Sequence, residues 1–315
     1  MPDQAVLASG LRGRSLVSIR DFSREEIEEV LATASRLEGH RGDELAGRQI
    51  ALLFYENSTR TRNSFVTAVH HLGGSLCGFD SAEGTSVQKG ETLYDTIQMF
   101  SAYSDAIVLR HPRDGSARWA ADSASVPVIN AGDGKNQHPT QTLLDLYAIR
   151  GTQGRLDNLT VAMVGDLKYG RTVHSLSDAL SMYPGNKLRY VSPPSLRMPA
   201  EQLASLRQAG VEWSEHDSLE AVLDEADVVY VTRIQRERMP DETEYEKVRG
   251  AFRLTAGMLR KVRSNLRILH PLPRVDEIAP DVDPTPYAFY FQQAAGGVPV
   301  RKALLWLLLG IGERP

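Results

Sequence analysis

Five consecutive residues, Ser58-Thr59-Arg60-Thr61-Arg62, set three hydroxyls and two guanidiniums just beyond the apolar run Gln49-Ile50-Ala51-Leu52-Leu53-Phe54-Tyr55. The run reads as a buried parallel strand. After the five residues, Phe65, Val69 and Leu72 repeat at helical spacing until Gly73-Gly74 stops the helix. The polar segment therefore lies at a strand's carboxyl end and a helix's N-terminus. Unbonded backbone N–H groups, the positive end of the helix dipole and forked arginine donors converge there, which suits a phosphate dianion. The bland alternative is a Ser or Thr N-cap with solvated arginines. Two arginines in a span of three positions, at a strand's carboxyl end, favour the anion.

Other strand ends carry comparable groups. Arg110 closes the strand Asp105–Arg110 ahead of His111-Pro112, and taken alone it fits a surface residue as well as a functional one. His138 precedes Pro139, which fits the first position of a helix, so His138 falls at the N-cap with Gln141 one turn on. A lone histidine is more often structural, but a His and a Gln on one helix edge after a glycine-containing loop favour ligand contact. Gly165-Asp166-Leu167-Lys168-Tyr169-Gly170-Arg171-Thr172 looks like a P-loop with Arg171 in place of the lysine. Arginine is not a conservative substitute there, and no apolar run ending in an acidic metal ligand follows, so the surviving reading is an anion-binding arginine at a helix start. Arg233 and Gln235 follow the strand Val228–Thr232 in a polar loop that continues through Arg236, Glu237 and Arg238. Such a loop is a surface connection or a lid that closes on substrate. His270-Pro271-Leu272-Pro273-Arg274 leaves its strand with two prolines, which stiffen the backbone and leave carbonyls available to a ligand amide.

Positioning these groups requires a regular scaffold, and the hydrophobic pattern supplies one. A first helix opens at Ser23 with a Ser23/Glu26 capping box. Strands are predicted at 49–55, 75–80, 105–110 and 126–131, with helices at 93–100, 116–123 and 139–149 between or after them. The polar stretch Gly151–Asn158 separates this half from a second. There, strands are predicted at 160–165, 188–191, 211–214, 228–232 and 266–269, and helices at 172–182, 201–208, 219–225 and 256–262. Strands alternating with helices predict an α/β protein of two doubly wound parallel-sheet domains, whose ligands bind at the carboxyl ends of the strands.

Composition narrows the function classes. The chain has 315 residues, 42% apolar and 24% charged, with a net charge of −4. It therefore has no basic excess of the kind that drives nucleic-acid binding. Cys77 is the only cysteine, which excludes an intramolecular disulfide and a cysteine-based zinc site. The start of the sequence lacks a basic and then apolar pattern, so no signal peptide is expected. The longest apolar run, Ala303–Leu309, is far shorter than the roughly 20 residues of a membrane span, so a cytoplasmic protein is expected.

Taken together, these segments resemble the catalytic chain of the aspartate carbamoyltransferase family. The matches run in order from about Phe54 to Gln293: Ser58–Arg62, Gly90-Glu91-Thr92, Arg110-His111-Pro112, Asn136–Thr142, Gly165–Ser175 and His270–Arg274. The resemblance implies transfer of the carbamoyl group of carbamoyl phosphate to the amino group of L-aspartate, a step of pyrimidine synthesis. It implies a carbamoyl-phosphate-binding domain at 1–150, completed by a helix at about 291–315, an aspartate-binding domain at 151–290, and the active site between them. Ser58, Thr59, Arg60 and Thr61 match the phosphate cradle. Thr61, Arg110 and His138 would polarise the carbamoyl oxygen and hold the charge that develops on it. Gln141 and the carbonyls of Leu272 and Pro273 would hold the carbamoyl NH₂. Arg171, Arg233 and Gln235 would bind the two carboxylates of aspartate.

Ser86 and Lys89 match residues that a neighbouring subunit inserts into the site, with Lys89 among the aspartate-binding groups, which implies a homotrimer with shared active sites. Regulatory chains that would build a larger complex are a further partner raised by the resemblance; nucleic acid and membrane are not. Glu56 matches a position that bridges the domains by pairing with arginines, for which Arg171 and Arg238 are candidates. No metal or cofactor is implied, because phosphate is already a good leaving group and positioning does the rest. Two departures stand out: the loop 85–90 is one residue shorter than in some relatives, with Gln88 replacing a lysine, and the loop around 239–242 is slightly longer.

An ornithine-type carbamoyltransferase would call for acidic groups and, in that family, a cysteine where Pro271 stands. A non-catalytic nucleotide-binding regulatory subunit is disfavoured by the intact cradle. A purely structural α/β protein leaves the strand-end arginines unexplained.

Overall fold

The computed structural model describes residues 10–234, Thr243, Val248 and 252–311. The chain divides into two compact units, Met1–Leu143 with Gly297–Pro315, and Leu144–Gly296.

In the first unit, strands β1 (Gln49–Phe54), β2 (Ser75–Phe79), β3 (Ala106–His111) and β4 (Val128–Asp133) form one wholly parallel sheet in the order β2-β1-β3-β4. Successive side chains of a strand face opposite ways. Ala51, Leu53, Ile107 and Leu109 thus share one face and pack with Ile97, Ala120 and Val128. Ile50, Leu52 and Phe54 on the opposite face are equally buried. Burial on both faces is why these strands read as continuous apolar runs. Helices α1 (Arg24–Arg36), α2 (Thr59–His71), α3 (Leu93–Tyr103) and α4 (Ser116–Ser123) surround the sheet, and the helix Gly297–Leu308 packs on α1 and α2. The expected Ser23/Glu26 capping box opens α1, which buries Ile27, Val30, Leu31 and Ala34.

Helix α5 (Pro139–Gln153) carries the chain into the second unit. There β5 (Thr160–Val164), β6 (Lys187–Val191), β7 (Glu212–His216), β8 (Val228–Val231) and β9 (Arg267–Leu269) form a second parallel sheet in the order β7-β6-β5-β8-β9. Helices α6 (Arg171–Ser181) and α7 (Ala200–Gln208) and the helix Tyr290–Ala295 accompany it. Its core joins Ala162, Val164, Val229 and Val231 to Leu254, Ile268 and Tyr290. Both sheets are thus doubly wound, as the alternation predicts.

The strand orders locate two switch points, between β1 and β3 in the first sheet and between β5 and β8 in the second. Such points open a crevice at the carboxyl ends of the strands, where ligands bind. Ser58–Arg62, Arg171 and Arg233 follow β1, β5 and β8, and Arg110 is the penultimate residue of β3.

Three expectations about secondary structure change. Residues 219–225 form successive turns, not a helix. Seven residues give little cooperative helix, and Glu225 instead bonds the buried Arg189 guanidinium at 2.7 Å. Ala256–Lys261 is a 3-10 helix with only Leu259 buried. Strand β4 runs two residues further than expected, because a register shift between Leu109 and His111 lets Asp133 pair with His111. Among the described residues no helix is long and apolar enough to cross a membrane, and no cluster of three or more His, Cys, Asp or Glu is placed to hold a metal ion.

Candidate active site

In the first unit the site is assembled from three strand exits. Phe54 at the end of β1 pairs with Arg110 in β3, and the Tyr55 N–H donates to the Arg110 carbonyl at 2.9 Å. The two exits are therefore held side by side. Helix α2 starts at Thr59 with Ser58 as its N-cap, yet the Ser58 side chain makes no capping bond. Ser18, Ser23, Thr85 and Thr92 do cap their helices, while Thr255, like Ser58, does not. The Ser58 hydroxyl thus stands at the positive end of the α2 dipole, a position that favours an anion.

His138 lies directly before Pro139 at the start of α5, and its carbonyl accepts from the Gln141 and Thr142 N–H groups at 2.9 and 3.2 Å. The N-cap position expected from the sequence holds. Its Nε2 comes within 3.5 Å of Thr61 Oγ1 and its Nδ1 lies 3.3 Å from Thr140 Oγ1. Thr61, His138 and Gln141 are all buried. Arg110 donates from Nη1 to the Ala131 carbonyl at 3.2 Å, and its Nε lies 3.5 Å from Glu56 Oε2. The structure thus brings Thr61 and His138 together, and sets Arg110 between the exits of β1 and β4. Glu56 is engaged by Arg110 within this unit, while Arg238 lies outside the described residues.

The loop that presents His138 depends on Asp133. Asp133 is fully buried. Its carboxylate accepts from the Asn130 amide, the Gln137 N–H, the Gly115 N–H and the Asn136 amide, at 2.9–3.0 Å. An Asp that bonds backbone a few residues on is the usual chemistry of such turns, and Asp133-Gly134 after a strand was the available signal. His111 packs its ring 4.7 Å from that of Tyr55 and accepts the Arg113 N–H on Nδ1. Burial, helped by Arg113, lowers its pKa.

Ser86 and Lys89 are exposed on a 3-10 turn capped by Thr85 and closed by Gly90 at φ +96°. Neither hydrogen-bonds to Ser58–Arg62.

In the second unit, Gly165 leaves β5 at φ +114°, and any Cβ there would lie 2.2 Å from the Thr232 carbonyl. Glycine is required because the exits of β5 and β8 run this close. Thr232 donates its N–H and its hydroxyl to the Val164 carbonyl, at 2.8 and 3.1 Å. Asp166, buried, accepts the Tyr169 N–H at 2.9 Å and shapes the turn into α6. Arg171 is the first residue of that helix and is buried, and Arg233 follows Thr232 half-buried. The adjacent exits of β5 and β8 thus each deliver a guanidinium, a geometry suited to carboxylates. Gln235 lies outside the described residues.

The third exit of this unit follows β9. Leu272 has φ +56°, and the Leu272–Pro273 bond is cis. A non-glycine residue in this region costs about 1–3 kcal/mol unless its surroundings hold it. The Leu272 N–H donates to His270 Nδ1 at 2.8 Å, and His270 Nε2 lies 2.7 Å from Glu277. The His270 N–H donates to Gln293 Oε1 at 2.8 Å, the Gln293 amide donates to Asp145 at 2.6 Å, and the Tyr230 hydroxyl donates to Asp145 at 2.8 Å. All four residues are buried. Burial first, then Asp145, pushes the Tyr230 hydroxyl well above its ordinary range. The relay ties the exit of β9 to β8, two residues before Thr232. Sequence reasoning missed Asp145, Tyr230, Gln293 and Glu277.

Both halves of the chain match models of one family: residues 14–151 match the aspartate/ornithine carbamoyltransferase carbamoyl-P binding domain, and residues 157–308 the Asp/Orn binding domain. The aspartate carbamoyltransferase catalytic subunit of Thermococcus onnurineus is 56% identical over 308 residues, covering 96% of this chain and 99% of that one. The corresponding subunit of Chromobacterium violaceum is 56% identical over 297 residues, 94% of this chain and 98% of that one. Among solved structures, the catalytic subunit of M. jannaschii aspartate transcarbamoylase superposes with a TM-score of 0.89 at 48% identity, covering 96% of this chain and all of that one (100%). Aspartate transcarbamoylase from Trypanosoma cruzi, in complex with carbamoyl phosphate and aspartate, gives a TM-score of 0.91 at 38% identity over 96% of this chain and 98% of that one. The chain belongs to the aspartate/ornithine carbamoyltransferase family, among its aspartate carbamoyltransferase catalytic subunits.

Proposed function

We propose that the protein transfers the carbamoyl group of carbamoyl phosphate to the amino group of L-aspartate, giving N-carbamoyl-L-aspartate and phosphate, in de novo pyrimidine synthesis. The observation that carries this reading is the uncapped start of α2 beside Arg110 and His138. Support for the two substrates comes from the T. cruzi relative, which is solved with both.

Ser58, Thr59, Arg60 and Thr61 hold the phosphate, with Arg60 supplying charge as the P–O bridge oxygen leaves. Thr61, Arg110 and His138 surround the carbamoyl oxygen, and Gln141 with the carbonyls of Leu272 and Pro273 accepts its NH₂. Arg171 and Arg233, with Gln235, take the carboxylates of aspartate. The neutral amine then adds its lone pair to the carbamoyl carbon. Negative charge gathers on the carbamoyl oxygen, where preoriented donors act most strongly. The C–O bond to phosphate breaks, and phosphate departs with the proton given up by the amine. Holding both reactants in line supplies much of the acceleration. On this reading the unit Met1–Leu143 with Gly297–Pro315 binds carbamoyl phosphate and Leu144–Gly296 binds aspartate. Ser86 and Lys89 enter the site of a neighbouring copy in a cytoplasmic homotrimer, on which regulatory chains could assemble.

Two experiments test this. Aspartate and ornithine are compared as acceptors at saturating carbamoyl phosphate, and faster turnover of ornithine rejects the substrate. Lys89→Ala and Arg60→Ala chains are mixed and rehybridised: recovered activity supports shared sites, and none after confirmed hybrid formation rejects them.

A further inference from the structure

We propose that Glu277, acting through the His270 ring, is the positioning residue that sets the Leu272 and Pro273 carbonyls to select the carbamoyl NH₂. The inference rests on the carbamoyl phosphate reading above.

The geometry fixes the direction of each bond. Because Leu272 N–H donates to His270 Nδ1, that nitrogen carries a lone pair, and the ring proton of a neutral imidazole must sit on Nε2. Nε2–H then donates to Glu277 Oε1 at 2.7 Å. The same carboxylate accepts the Val275 N–H at 3.2 Å and the Asp276 N–H at 3.0 Å. One carboxylate therefore grips the loop on both sides of Pro273: directly at Val275 and Asp276, and through the imidazole at Leu272. No other arrangement of the ring proton satisfies both neighbours of His270.

The environment keeps the pair in this state. His270 is buried, and burial lowers its pKa against the pull of Glu277, with Arg274 and Arg233 adding to the lowering. Burial alone would raise Glu277, but its bonds to His270 and to backbone N–H groups keep it a carboxylate. A neutral ring beside a charged carboxylate leaves Nδ1 an acceptor. At its φ of +56° the Leu272 N–H is turned onto that acceptor, and the bond helps to hold the conformation. The loop's carbonyls are useful to a ligand only in that fixed direction, since a carbonyl selects an N–H donor over a methyl group by geometry.

The test uses acetyl phosphate, which matches carbamoyl phosphate except for a methyl in place of the NH₂. Affinities for both are measured by titration of the full-length protein and of its Glu277→Ala and Glu277→Gln variants. Glu277→Ala is expected to shrink the preference for carbamoyl over acetyl phosphate about tenfold, or about 1.4 kcal/mol, leaving acetyl phosphate affinity nearly unchanged. Glu277→Gln keeps an acceptor for Nε2–H and is expected to retain most of the preference. An unchanged preference in Glu277→Ala, or equal loss for both ligands, overturns the proposal. Should Glu277→Ala not fold, the ¹⁵N spectrum of the parent's His270 decides: the Nε2–H tautomer supports the proposal and the Nδ1–H tautomer overturns it. A parent protein with no preference for carbamoyl phosphate overturns the functional reading itself.

Discussion

Replacing Gly165 by alanine tests how tightly one strand exit controls the next. A Cβ at Gly165 would lie 2.2 Å from the Thr232 carbonyl O and 2.9 Å from its hydroxyl, whereas ordinary contact begins at 3.4 Å. The exit of β8 must therefore retreat by about 1 Å, because its backbone has no rotamer with which to yield. The φ of +114° is itself a glycine conformation. Strained backbone costs about 1–3 kcal/mol and overpacking about as much again, so urea denaturation should show a loss of about 2–6 kcal/mol. Arg233 follows Thr232, and a displacement of about 1 Å in a positioning group can cost about 10²-fold in rate. The expected kinetic result is a fall of that order in kcat/KM for aspartate, with phosphate affinity at the start of α2 unchanged. Gly47→Ala is the control, since Gly47 has φ +77° but nothing within 4 Å of its Cβ position. It should lose only the conformational cost and keep full activity. If Gly165→Ala is no less stable than Gly47→Ala, or keeps the parent's kcat/KM for aspartate, the reasoning fails.

Further perturbations separate the remaining parts. Arg60→Ala should lower kcat by about 10²–10³-fold, the size of losing one transition-state donor; near-parental turnover rejects its role. His138→Ala should lower kcat less, by about 10–10²-fold, and leave phosphate binding in place, which competition by inorganic phosphate will show. Tyr230→Phe strips Asp145 of a buried partner and should cost about 1–3 kcal/mol in urea; an unchanged midpoint argues against the relay. Burial acts to raise the Asp227 pKa, but the Thr160 N–H, Asn265 and Arg263 bring it below its ordinary value. A lowered folded-state pKa gives stability that is complete above the unfolded pKa, about 3.9, and lost as pH falls through the folded one. Asp227→Asn should therefore flatten the acid limb of a stability–pH curve, and an identical limb refutes the assignment.

What the sequence made legible was local. Ser58–Arg62 and His138-Pro139 each announce a helix start within a few residues, and alternating periods announce the parallel sheets. What it hid was distant or subtle. Gln293 meets Asp145 across 148 positions and Tyr230 meets it across 85, so no window contains the relay. Glu277 lies just past the His270–Arg274 motif, and its part depends on a ring tautomer that spacing does not encode. Residues 219–225 carry Leu219, Val222 and Leu223 at helical spacing, yet a tight series of turns buries the same three side chains. Asp133 gave no sign of its role, because its four donors come from both sides of it in the chain.

The helix Gly297–Leu308 closes the first unit from the far side of the sequence. Lys302 donates to the Leu37 and His40 carbonyls beyond α1, Arg301 lies over the Phe65 ring of α2 at 5.0 Å, and Arg48 donates to the Leu309 carbonyl at 2.9 Å. During synthesis at about 5–20 residues per second, domains fold as their residues emerge. Here the Ser58–Arg62 segment emerges almost 240 positions before the helix that packs on α1 and α2, on the order of tens of seconds at that rate. Meanwhile the intervening unit can finish. Ribosome-stalled or prematurely terminated chains would thus carry the whole Ser58–Arg62 segment without the helix that packs on α1 and α2.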